Sequence, residues 1–170
     1  DVGEIGVEWL DVGLADCGVV GQPANRSRYA HLRWRGGDVM GRLSRPNHPW
    51  AVKTGITPDA LQALPLIIPK GALVRRDLSG WYGVNLRPFD IIGTMNLTYN
   101  GSRFVRAGYG CALSLEGLID TGERSGLTFR PLEPVLRASL SMAWKKNQPL
   151  TPPARAFLDC VREVASEPGE

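Results

Sequence analysis

Residues 56–68 decide the fold, and they read Ile-Thr-Pro-Asp-Ala-Leu-Gln-Ala-Leu-Pro-Leu-Ile-Ile. Thr57 followed by Pro58 predicts the start of a helix, because threonine caps a first turn and proline suits the first helical position. Residues 66–68 form an apolar run between two prolines, which is typical of a short buried strand. A helix that leads directly into a buried strand indicates the α/β class.

The remainder of the chain extends this pattern of alternating elements. Apolar runs predict strands over residues 9–17, 29–34, 39–44, 90–96, 110–115, 127–130 and 137–145, and helices over 73–82, 99–107 and from Thr151-Pro152 onward. The run over residues 9–17 is bounded by glycines and predicts a buried parallel strand. Strands that alternate with helices favour an α/β fold with a largely parallel sheet.

Composition excludes several classes of protein. The 170 residues are 43% hydrophobic and 22% charged, with a net charge of +3, which is ordinary for a globular domain. The longest apolar stretch, residues 64–69, is far shorter than the roughly 20 residues of a membrane-spanning helix, and no signal peptide opens the chain. The arginines are dispersed, whereas a nucleic-acid binder concentrates them. Three scattered cysteines indicate reduced thiols and a cytoplasmic protein.

Few residues could support catalysis. The two histidines, His31 and His48, have no acidic or cysteine neighbour at metal-ligand spacing, so no metal site is predicted. Residues 108–113 begin like a dinucleotide fingerprint, but they follow a helix and enter a strand, which is the reverse of the required order. We therefore expect neither an enzyme nor a bound cofactor.

Two junctions between a strand and a helix could bind a ligand, since ligands of α/β proteins lie outside the carboxyl ends of strands. Pro69 and Lys70 follow the strand over residues 66–68, and Lys70 could supply a positive charge. Residues 96–100 join the next strand to a helix and offer Asn96, Thr98, Tyr99 and Asn100. The alternatives are a solvated surface lysine and simple helix capping by Thr98 or Asn100.

Five segments in this order resemble the effector-binding domain of LysR-type transcriptional regulators. They are residues 10–14 (Leu-Asp-Val-Gly-Leu), 29–34 followed by 41–44 and His48-Pro49, 56–61 followed by 64–68, 104–113 (with Gly108-Tyr109-Gly110), and 140–146 with 149–158. Each segment alone is weak evidence for the family, and the assignment to the family depends on the order of all five.

The resemblance implies a two-lobed fold like that of type 2 periplasmic binding proteins, with two strands crossing between the lobes. Residues 1–35 and 131–170 would form lobe I, which would be incomplete, and residues 36–130 would form lobe II. A small-molecule co-inducer would bind in the cleft. Family pockets place their ligand contacts at positions that correspond here to Pro69, Lys70, Asn96, Thr98, Tyr99 and Asn100. Asp16 and Cys17 could reach the cleft as well.

The family binds DNA through an N-terminal winged helix-turn-helix, and it assembles as dimers or tetramers. That element is absent from this sequence, so we expect the chain to contact DNA only through a missing N-terminal domain. The positive charge of Lys70 favours an anionic effector, and we expect no membrane partner. Of the three cysteines, only Cys111 lies in lobe II, which argues against redox sensing. The alternative is a solute-binding protein of a transporter, with a similar fold.

Overall fold

The computed structural model describes residues 2–21, 27–34, 37–49, 51–71, 78, 80–81 and 89–166. Among them, the helices are α1 (Val2–Val12), α2 (Pro58–Gln62), α3 (Thr98–Ala107) and α4 (Pro152–Ser166). The strands are β1 (Cys17–Val20), β2 (Tyr29–Arg33), β3 (Asp38–Ser44), β4 (Leu66–Pro69), β5 (Ile91–Met95), β6 (Cys111–Leu115), β7 (Thr128–Pro131), β8 (Arg137–Ala138) and β9 (Ser141–Lys145). The helix predicted over residues 73–82 lies mostly outside the described residues.

The chain divides into two compact units, the first formed by residues 1–37 and 139–170 and the second by residues 38–138. The first unit contains an antiparallel sheet in the order β1-β9-β2. Its core joins Leu10 of α1 to Val20, Tyr29 and Ala143 of the three strands.

The second unit contains a larger sheet in the order β5-β4-β6-β3-β7, with β8 paired to β3. Apolar residues cover both faces of this sheet. One face packs Met40, Leu66 and Leu113 against Leu61 of α2, and the other packs Ile67 and Ala112 against Val105 of α3. Each helix is therefore held by burial of one apolar face against the sheet.

Two sequence-based expectations about local structure are confirmed. The Thr57 hydroxyl accepts a hydrogen bond from the backbone N–H of Ala60, so it caps α2, and Pro58 occupies the first turn. Helix α3 ends at Gly108, which adopts the left-handed conformation with φ of 89°. In that conformation a side chain would meet the following carbonyl, and glycine avoids this cost.

Three expectations are wrong. Residues 9–17 form no parallel strand, because α1 extends to Val12 and places Leu10 in the core while Trp9 and Val12 are exposed. The strand predicted over residues 137–145 is two strands, β8 and β9, which belong to different sheets. The sheets are not largely parallel, since among the strands that the structure describes only the pairs of β4 with β5 and of β4 with β6 are parallel.

Candidate functional site

The carboxyl ends of β4 and β5 lie side by side in the second unit. Pro69 is the register partner of Met95, and the backbone N–H of Lys70 donates to the carbonyl of Met95 at 2.8 Å. This pairing places Pro69 and Lys70 next to Asn96 at the edge of the sheet. Parallel strands bring such residues together because their carboxyl ends meet at one edge.

Helix α3 begins directly after this edge. Its N-cap is Leu97, and no side chain caps the helix, so the alternative of simple capping by Thr98 or Asn100 is wrong. The N–H of Asn100 donates to the carbonyl of Leu97 at 3.1 Å. The N–H groups that precede it in the first turn attract electron-rich groups when no side chain covers them. No acidic residue lies in the first turn of α3.

The structure thus brings six of the eight candidate residues to one edge of one sheet. Pro69 and Thr98 are half-buried there. The other four candidates are exposed at the same edge, namely Lys70, Asn96, Tyr99 and Asn100. The geometry gathers a primary amine, two amides, two hydroxyls and an aromatic ring, which is a set able to hydrogen-bond a polar ligand.

A cavity of about 450 Å³ starts at this edge and lies between β5 and α3. Asn96 and Asn100 line it, whereas Pro69, Lys70, Thr98 and Tyr99 do not. The other lining residues are Ile67, Ile92, Gly93, Thr94, Met95, Gly101, Phe104 and Tyr109. Small-molecule sites commonly have this volume and this mixture of many apolar groups with a few polar ones.

The far end of the cavity is formed by two aromatic rings. Because Gly108 is left-handed, the chain folds back and the N–H of Tyr109 donates to the carbonyl of Phe104 at 3.1 Å. The rings of Phe104 and Tyr109 then meet edge to face, with centroids 6.1 Å apart and an interplanar angle of 69°. The sequence indicated Gly108 as the end of α3, but it carried no signal that Phe104 and Tyr109 would form a wall.

Asp16 and Cys17, the remaining two candidates, lie in the first unit. Asp16 accepts a hydrogen bond of 2.7 Å from the hydroxyl of Thr151, the residue before α4. Cys17 starts β1 opposite Trp144, and burial, together with the charge of Asp16, raises the pKa of its thiol. The Asp16 carboxylate therefore helps to hold the start of α4, and the Cys17 thiol is protonated at neutral pH.

The second unit also buries a positive charge. Arg42 of β3 is fully buried, and burial lowers its pKa, as does the charge of Arg130. Burial and the charge of Arg42 lower the pKa of His48, so its imidazole is neutral at pH 7. No group of three or more potential metal-ligating side chains occurs in the part of the chain that the structure describes.

The model of the LysR substrate binding domain family matches residues 4–166. The chain belongs to this family, and its mixed α/β, periplasmic-binding-protein-like fold agrees with that membership. No helix within the described ranges is long and apolar enough to cross a membrane.

A curated relative is the uncharacterized HTH-type transcriptional regulator YvbU of Bacillus subtilis, 24% identical over 160 residues. That alignment covers 92% of this chain and 53% of YvbU, so the chain spans about half the length of its relative. The predicted membership of the LysR family is confirmed. The relatives are regulators, which points away from an enzyme.

Two solved structures share the fold at low sequence identity. The Synechocystis PCC6803 CcmR regulatory domain, in complex with 2-PG, matches with a TM-score of 0.79 at 19% identity, over 97% of this chain and 80% of the other. The effector binding domain of QuiR, in complex with shikimate, matches with a TM-score of 0.79 at 16% identity, over 94% and 76%.

Proposed function

We propose that this chain senses a small-molecule effector at the carboxyl ends of β4 and β5, and that it relays binding to a DNA-binding domain encoded outside this sequence. Helix α3 starts without a side-chain cap directly beside the β4–β5 edge, and this is the observation that supports the site best. A ligand there can accept hydrogen bonds from the first N–H groups of α3 and contact Lys70 from the neighbouring strand.

The chemistry of this edge supports an anionic effector. Lys70 contributes a positive charge, and the helix start adds the positive end of its dipole. Two structures of the same fold, those of CcmR and QuiR, contain small molecules. By this proposal, the effector site is formed by Pro69, Lys70, Asn96, Thr98, Tyr99 and Asn100. A contribution of Asp16 and Cys17 to effector binding stays a separate prediction.

Regulation would follow from a shift between conformations. An effector that binds one conformation more tightly raises the population of that conformation, and the size of the shift equals the difference in affinity. A dimer or tetramer of the whole regulator would carry the change to DNA. The resemblance to YvbU, an HTH-type regulator by its name, supports this assignment.

A thermal-shift screen against small carboxylates, amino acids and aromatic acids tests the proposal. A ligand at 100 times its dissociation constant should stabilise the chain by about 2.7 kcal/mol. The same ligand should stabilise the Asn96→Leu and Lys70→Ala variants less. If no ligand class stabilises a longer protein that includes the residues encoded upstream, the proposal of effector sensing is wrong. If the ligand stabilises both variants as much as it stabilises the unaltered chain, it binds elsewhere.

A further inference from the structure

We draw no further inference here: the strongest candidate, the exposed apolar patch that Trp9 and Val12 form on α1 of the first unit together with Leu14 after the helix, carries none because nothing in the structure shows what covers it.

Discussion

The hydroxyl of Tyr29 donates a hydrogen bond to the carboxylate of Asp11, and this bond joins β2 to the last turn of α1. The same carboxylate oxygen accepts from Arg28 at 2.9 Å. The Lys145 amine donates to the backbone carbonyl of Asp11 at 2.8 Å, which adds a tie to β9. Tyr29 is 2% exposed, so its hydroxyl depends on Asp11 for the hydrogen bond that water would otherwise provide.

Replacing Tyr29 by phenylalanine should lower the free energy of unfolding by about 2 kcal/mol, because a buried hydrogen bond to a charged group is lost. Urea denaturation measures the change. Tyr99→Phe is the control, since Tyr99 is 60% exposed and its substitution should change stability by less than about 0.5 kcal/mol. Equal effects of the two substitutions would contradict a specific role for the Tyr29–Asp11 bond.

The free energy of unfolding should also fall at alkaline pH because of Tyr29. Burial, the hydrogen bond to Asp11 and the charge of Asp11 raise the pKa of Tyr29 above its ordinary value of 10.0. The unfolded chain then releases this proton first, so the contribution of Tyr29 is complete below pH 10 and declines as pH rises toward the pKa of the folded state.

The steepest decline from this one group is about 1.4 kcal/mol per pH unit. Unfolding free energies measured between pH 8 and pH 11 would show it, and Tyr29→Phe should have the shallower slope. Parallel slopes for the two proteins would mean that Tyr29 titrates alike in the folded and unfolded states.

The end of α3 offers a test of backbone conformation. Gly108→Ala should destabilise the chain by about 1–2 kcal/mol, because φ of 89° strains any residue with a Cβ. A Cβ at Gly108 would also lie 3.1 Å from Arg45 Cζ. Thermal and urea unfolding measure the loss, and Gly108→Asn should lose less, since asparagine tolerates the left-handed region.

A glycine inside α1 should behave in the opposite way. Gly6 has no atom within 4 Å of a built Cβ, and its φ is not positive. Gly6→Ala should raise the free energy of unfolding by about 0.5–1 kcal/mol, since alanine favours a helix interior. The two alanine substitutions should therefore change stability with opposite signs, and a loss in both would show that α1 or α3 is arranged differently.

A substitution at Lys70 tests the proposed effector site. Lys70→Ala should weaken an anionic effector by about 1–3 kcal/mol if the amine bonds it directly. Arg103→Ala is a suitable control, because Arg103 is an exposed cation on α3 outside the candidate set. Calorimetry with a carboxylate found in the screen measures both. Unchanged affinity in Lys70→Ala would remove Lys70 from the site.

Local signals in the sequence anticipated those elements whose ends depend on single residues. Thr57, Pro58 and Gly108 each set the start or end of a helix through backbone conformation or a cap. Such local effects can be predicted from the sequence without knowledge of the tertiary structure. The α1 region was misinterpreted because its apolar residues suit a short buried strand as well as a helix, and only packing against β1 and β9 decides between them. Short apolar runs carry this ambiguity in general.

The candidate site was anticipated only in part. The edge holding Lys70 and Asn96 follows from the order of strands and helices, which the sequence conveys. The cavity wall does not, since Phe104 and Tyr109 meet through the turn at Gly108 and Gly93 matters through the side chain it lacks. No periodicity or motif encodes an unfilled volume.

The order of strands in the two sheets has a consequence for how the protein is made. The second unit is one continuous stretch, residues 38–138, and it can fold as soon as that stretch has emerged from the ribosome. The first unit cannot, because β9 is the central strand of its sheet and lies between β1 and β2. Until Ser141–Lys145 has been synthesised, β1 and β2 lack the strand that lies between them, so the first unit completes its fold after the second.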